Sequence, residues 1–317
     1  MPRLTVSFCI PTHGRSGLLL EALESGLAQT RLPEEIVVSD DTGNAETRAL
    51  VENFGRRAPM PVRYVHCTTG QSQTHNMNNC LLEARCDLTL LLHDDDLLVP
   101  DSIARLAPPF EENPGVVGSY GKQLFITHDG EFIPDETERV NRGYRRGPAY
   151  AGLQPSALLA AIWQQFPNDG YMVRTAVARG VLYRSEYRAA TDFEFGVRLA
   201  GHGEFFYVDD FASKYRNSLD SVARGAGVLK DDSAYFGTRL LLEKLEEHPE
   251  HRDEITTALK GLIPMGIVMG ANTGRIDEAI AWYFGPYHRA RIPTPGGIKR
   301  GLYLLKRRWA GLRSPGE

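Results

Sequence analysis

The chain has 317 residues, 42% hydrophobic and 24% charged, with a formal net charge of −4. That length accommodates one large domain or one domain with a smaller annex, and the composition is ordinary for a globular enzyme. The slight acidity excludes a general case for nucleic-acid binding. The four cysteines (Cys9, Cys67, Cys80, Cys86) fit no zinc-ribbon spacing, and no stretch nears the ~20 apolar residues of a bilayer span. The strand pattern begins at Leu4 and leaves no room for a signal peptide, so a cytoplasmic protein with reduced thiols is expected.

In chain order, Leu4 to Ile10 reads as a buried strand closed by Pro11-Thr12-His13-Gly14. Leu19, Leu20, Leu23 and Leu27 mark a helix over 15–30. A second strand at 35–39 ends in Asp40-Asp41-Thr42-Gly43-Asn44, and a helix follows to about Gly55. A third strand (62–65), a helix (73–85) and the apolar run Leu88 to Leu92 lead into His93-Asp94-Asp95-Asp96. Strands alternating with helices at this spacing predict right-handed crossovers and a mostly parallel sheet, whose ligands bind beyond the carboxyl ends of the strands. The polar clusters at 11–15, 40–44 and 93–96 all fall there. Three adjacent aspartates repel one another, so a compensating cation is expected, and carboxylate oxygens suit Mg²⁺ or Mn²⁺. An acidic helix cap is the alternative for 93–96, as a capping turn is for Asp40 and Asp41.

Past Pro100 the pattern loosens. Antiparallel strands are expected at 116–127 and 131–133, and an Arg- and Gly-rich lid loop at 134–152. Helical pieces are expected at 153–163, 171–180 and from Thr191, and two short strands at 204–209 and 212–216. Helices near 230–247, 250–269 and 274–285 follow. The expected organisation is a catalytic domain over 1–225, with a nucleotide-binding half (1–100) and an acceptor half (101–225), and a helical extension over 226–317.

Five fragments in this order resemble a known family, the inverting glycosyltransferases of family 2 with the GT-A fold. Val6-Ser-Phe-Cys-Ile-Pro-Thr-His-Gly-Arg15 is similar to that family's V-S-V-I-I-P-T-Y-N-R, and Val37-Val-Ser-Asp-Asp-Thr-Gly-Asn44 to V-V-D-D-G-S. Asn78-Asn-Cys-Leu-Leu-Glu-Ala-Arg85 matches R-N-x-G-L-x-x-A-x-G in spacing. His93-Asp94-Asp95-Asp96 stands in place of L-D-A-D-D, and Thr191-Asp-Phe-Glu-Phe195 with Lys214-Tyr-Arg216 resembles E-D-W-D-L and K-Y-R.

The resemblance, which covers about residues 4–220, implies an α/β GT-A fold with a Rossmann-like, mostly parallel sheet. It also implies metal-dependent transfer of a sugar from a UDP- or dTDP-sugar to a hydroxyl of a saccharide, lipid-linked glycan or natural product. Its implied donor site is Pro11, Thr12, His13, Arg15, Asp40, Asp41, Asn78, Asp94 and Asp95, with metal ligands Asp95, His93 and Asp96 binding Mn²⁺ or Mg²⁺. Asp192 takes the place of the general base, and pyrophosphate charge falls to the metal with Arg216 or an arginine of 139–146. Trp163, Asn168, Asp169 and Tyr171 are acceptor candidates. Three positions depart from the pattern: His93 replaces the first acid, Met77 an arginine, and Asn217 a histidine. They motivate a competing reading, a catalytically inactive nucleotide-sugar-binding or scaffold subunit. A nucleotidyltransferase is a weaker one, because residues 11–15 contain only one glycine.

Residues 288–317 carry eight lysines and arginines against one acid, Glu317. Within 296–313, Ile298, Leu302, Leu305, Trp309 and Leu312 are expected to form one helical stripe, with Lys299, Arg300, Lys306, Arg307 and Arg308 on the other face. The two readings are peripheral contact with the inner face of a membrane, and packing on the domain or on a second subunit of a homo-oligomer.

Overall fold

The computed structural model describes residues 3–217 and 232–312. Two compact units emerge: Met1–Ser185 with Phe195–Ser218, and Glu186–Glu194 with Leu219–Glu317.

The first unit is built on a nine-stranded sheet. Its regular half alternates β1 (Val6–Thr12), α1 (Ser16–Leu27), β2 (Glu35–Asp40), α2 (Ala45–Gly55), β3 (Val62–His66), α3 (Gln73–Glu83) and β4 (Leu88–Leu91). β3, β2, β1 and β4 lie side by side and all parallel. Strand side chains alternate between faces. Val6, Phe8 and Ile10 of β1 therefore join Ile36, Val38, Leu88 and Leu90 under Leu19 and Leu23 of α1 and Phe54 of α2. Cys9 points the other way, where its thiol meets the Cys80 carbonyl of α3. Full burial of each such aliphatic or aromatic chain contributes about 1.5–3 kcal/mol.

The irregular half adds β5 (Leu97–Leu98), α4 (Ser102–Leu106), α5 (Pro108–Glu112), β6 (Val116–Thr127), α6 (Pro134–Gly143), β7 (Gly152–Leu153), α7 (Ala157–Ile162), β8 (Tyr171–Arg174), α8 (Thr175–Val181), α9 (Thr191–Leu199, which the chain enters in the second unit) and β9 (Glu204–Asn217). The sheet continues β4-β8-β6-β9-β5, with β7 on β9.

Several expectations are corrected here. Residues 134–143 form a helix, and 148–150 a 3₁₀ turn, where a loop was expected. The helix α6 starts on Pro134 and docks through polar side chains. Thr137 Oγ1 accepts from the Phe125 amide, and the Asn141 amide bonds both the N–H and the carbonyl of Gln123. A helix held by hydrogen bonds has no apolar period to read. Residues 171–174 are strand rather than helix, because β8 pairs with β4. Residues 153–156 are not helical; Ser156 caps α7. The strands expected at 204–209 and 212–216 are one strand, β9, with a register shift opposite Lys122 that absorbs Asp209 and Asp210. Instead of a second strand, 131–133 makes one bridge, Ile126 to Phe132.

The second unit is helical: α10 (Ser233–Glu247), α11 (Arg252–Asn272), α12 (Ile276–Phe284) and α13 (Pro295–Leu312). Its core gathers Ala190, Ala234, Tyr235, Phe236 and Met269, with Leu262 and Trp282 packed on them. Among the described residues no helix is long and apolar enough to cross a membrane.

Candidate functional site

Because β1, β2 and β4 are parallel neighbours, Thr12, Asp40 and the turn after Leu91 open onto one edge of the sheet. Asp94 is fully buried there. It accepts from Thr12 Oγ1 at 2.6 Å and from the Arg15 guanidinium, which also reaches Asp95 at 2.8 Å. Burial raises the Asp94 pKa, and the Arg15 charge opposes that rise. Burial disfavours the Arg15 charge as well, but Asp94 and Asp95 outweigh it and raise its pKa. One guanidinium thus bridges two of the three consecutive acids and offsets one of their two charges.

Asp96 turns inward. Its Oδ1 accepts from the Arg216 amide at 2.6 Å, and its carboxyl meets that of Asp169. Asp169, also fully buried, accepts from Gln123 Nε2 at 2.9 Å and from the His93 amide at 3.3 Å. Burial, then the facing Asp169, push the Asp96 pKa well above the usual carboxylate range. Two buried carboxyls in contact need a shared proton or a cation. His93, Asp95 and Asp96 offer ligand atoms within 4.8 Å of one another, a donor set of two carboxylates and an imidazole that could hold a divalent ion. Imidazole favours Mn²⁺ over Mg²⁺.

Beyond β2 the two acids differ. Asp40 is saturated: it accepts from Thr42 N at 2.9 Å, Thr42 Oγ1, Asn44 N at 3.1 Å and Tyr64 Oη at 2.8 Å. It builds the turn, and its proximity after burial pushes the Tyr64 pKa up to about 12. Asp41 bonds the exposed His13 ring, Nδ1 to Oδ1 at 2.7 Å. Pro11 is buried in β1 opposite Ser39.

Other expected residues hold the scaffold. The Asn78 amide bonds the Tyr183 N–H and carbonyl, at 2.7 and 2.9 Å, and so ties α3 to the chain that follows α8. Arg216 is buried, with its guanidinium on the carbonyls of Asp95 and His128 and on Glu21. It pins the acidic turn, with three of its five N–H donors committed to these partners. Arg146 is likewise buried against the Gln164 and Gln165 carbonyls and the Gln123 amide oxygen. Of the acceptor candidates, Tyr171 is core, its ring on Phe166 and its hydroxyl on Tyr183. Asp169 belongs to the acid cluster. Trp163 lies half-buried under the Arg145 guanidinium, 3.7 Å from the ring centre, and Asn168 approaches Gln123 at 3.5 Å. Asp192 is half-buried in the first turn of α9, within the second unit.

Sequence reasoning missed Asn76, which bonds the Thr12 carbonyl at 2.8 Å and Ser39 Oγ and so fixes the end of β1 to α3. It also missed Gly170. At φ +67° a side chain there is strained, and a Cβ would stand 2.4 Å from Ser213 Oγ. Its amide bonds the Leu91 carbonyl and seats Asp169 beside His93.

Residues 7–149 match the model described as glycosyl transferase family 2. A GalNAc(5)-diNAcBac-PP-undecaprenol beta-1,3-glucosyltransferase of Campylobacter jejuni is 30% identical over 124 residues, 39% of each chain. Protein CgeD of Bacillus subtilis is 27% identical over 150 residues, 45% of this chain and 34% of that one. The matches thus span less than half the length of these relatives. Among solved structures, Staphylococcus aureus TarS 1–349 superposes with a TM-score of 0.58 at 16% identity, covering 97% of this chain and 92% of that one. The mannosyltransferase PcManGT of Pyrobaculum calidifontis gives 0.58 at 14%, covering 98% and 88%. At these identities the likeness is one of fold.

Proposed function

We propose, from the match of residues 7–149 to the glycosyl transferase family 2 model and from the GT-A-type fold, that the chain transfers a sugar from a UDP- or dTDP-sugar to an acceptor hydroxyl with inversion. The observation that carries this reading is the convergence of Asp41, Asp94, Asp95 and Asp96 on one edge of the parallel sheet, with Thr12 and Arg15 among them. Solved relatives of the same fold are in complex with UDP, with UDP-GlcNAc, and with GDP-Man and Mn²⁺, which supports a nucleotide-sugar donor and a divalent ion.

In this reading Asp41 accepts the N–H of a pyrimidine edge, steadied by His13, while Pro11 and Thr12 supply backbone beside the base. Asp94 accepts from a ribose hydroxyl. Asp95, His93 and Asp96 would hold the divalent ion, which when bound supplies a Lewis acid for the departing diphosphate. A bound ion would compete with Arg15 for Asp95, while Arg15 also holds Asp94. Asp192 removes the acceptor proton as the oxygen attacks the anomeric carbon from the face opposite the diphosphate; such a base contributes about 10²–10⁴-fold. Trp163 and Asn168 remain the acceptor-side candidates. The acceptor is a saccharide or lipid-linked hydroxyl, a class to which the Campylobacter relative's name also points.

The test is nucleoside-diphosphate release from a panel of UDP- and dTDP-sugars with Mn²⁺, with Mg²⁺ and with EDTA, for the wild type and Asp192→Asn. Release with metal, abolished by EDTA and cut at least about a hundredfold in the variant, is expected. Release unaltered by Asp192→Asn removes that residue as base. Tight nucleotide binding without release from any donor or acceptor favours the scaffold reading.

A further inference from the structure

The helix α13 presents two opposed faces. Successive residues advance about 100° around the axis, so Ile298, Leu302, Leu305 and Trp309 fall within one narrow arc. Their exposures are 53%, 64%, 58% and 64%. The opposite arc is the docked one. Leu304 is buried, Gly301 admits the Tyr283 hydroxyl, and Tyr283 Oη donates to the Gly297 carbonyl at 3.0 Å. The apolar stripe read from the sequence is therefore not what fastens the helix.

The cations sort in the same way. Arg300 reaches His288 at 3.2 Å, Arg307 the Asn272 carbonyl at 3.0 Å, and Arg308 Asp277 at 3.0 Å. These three tie the helix to its own unit. Lys299 and Lys306 are exposed and make no ion pair among the described residues. By their angular positions, both border the apolar arc on one side.

We propose that this face of α13 is a docking surface for an anionic lipid bilayer, with Ile298, Leu302, Leu305 and Trp309 entering the headgroup–acyl boundary and Lys299 and Lys306 meeting anionic headgroups. A row of four exposed large apolar chains exceeds what a solvated helix carries, and a tryptophan at its end suits the bilayer interface. The basic composition of 288–317, eight cations to one acid, selects a negative surface over an apolar protein groove. The inference stands apart from the transferase reading, because no donor-site residue takes part.

The experiment is flotation of the full chain with vesicles of phosphatidylcholine alone and with one-third phosphatidylglycerol, in low and high salt, beside sedimentation velocity without lipid. Binding to the anionic vesicles is expected to exceed binding to neutral ones by about tenfold or more and to fall in high salt. Leu302→Glu/Trp309→Glu should abolish it, and Lys299→Glu/Lys306→Glu should reduce it about tenfold. Both doublets alter exposed positions, and circular-dichroism melts check that the fold persists. Trp309→Phe keeps the apolar face and should retain binding. Equal binding by the Leu302→Glu/Trp309→Glu protein, or no binding by the wild type, overturns the proposal. So does a wild-type dimer that this doublet dissociates and that ignores vesicles, since a second copy would then cover the face.

Discussion

The strand-end rim and the C-terminal helix are both strongly charged surfaces, and they handle charge in opposite ways. On the rim the carboxylates of Asp94, Asp95 and Asp96 are enclosed and answered from within by Thr12, Arg15 and the backbone amide of Arg216. What is left over is Asp96, whose pKa is pushed up by burial and then by the facing Asp169. On α13, by contrast, Lys299, Lys306 and four large apolar chains stay open to solvent. An enclosed excess of negative charge suits a small, dense ligand such as a divalent ion. An open array of cations beside apolar chains suits an extended anionic surface.

The comparison can be broken most strongly at Asp95. If that carboxylate belongs to a metal site, Asp95→Asn should lower nucleoside-diphosphate release about a hundredfold or more while leaving the melting temperature of the metal-free protein nearly unchanged. A variant with wild-type turnover would reduce the rim to a structural acidic turn. Next in size is Gly170→Ala, where the clash with Ser213 and the left-handed backbone should together cost about 3 kcal/mol in urea unfolding. A cost under about 1 kcal/mol would mean that the seat of Asp169 is not tightly built. Arg216→Met should cost about 2 kcal/mol by leaving the carbonyls of Asp95 and His128 without their donor. A change in nucleotide affinity alone, with stability intact, would return Arg216 to the phosphate role. The smallest effect separates Asp41 from Asn78. Asp41→Asn should weaken UDP binding about tenfold by calorimetry, whereas Asn78→Ala should lower stability and leave UDP affinity alone.

Legibility in the sequence followed the source of each element's stability. The alternation over 4–100 could be read because strands buried on both faces are predominantly apolar runs, such as Val6 to Ile10 and Leu88 to Leu92, and because their polar ends fall where a parallel sheet gathers ligands. The helix α6 could not, since Thr137 and Asn141 dock it by hydrogen bonds. Asp169 could be flagged as polar and near a site, but its partner could not. Antiparallel pairing of Leu91 with Tyr171 brings it to His93, and no local pattern encodes that pairing. Arg216 reaches the acidic turn by the same kind of long-range register, Leu97 opposite Lys214. In α13 the stripe was visible, but which face docks was not. Leu304, Gly301 and arginine hydrogen bonds, rather than the apolar stripe, made that choice.

The most direct test of the account is a thermal-shift panel of UDP, dTDP, GDP and CMP, each with Mn²⁺, with Mg²⁺ and with EDTA, on the wild type and Asp95→Asn. A nucleotide at 100 times its Kd adds about 2.7 kcal/mol to apparent stability, a shift readily seen. The account predicts a shift with UDP or dTDP that needs Mn²⁺, is weaker with Mg²⁺, and disappears in EDTA and in Asp95→Asn. A shift of equal size in EDTA, or none with any nucleotide, would contradict a metal-assisted donor site at the strand ends.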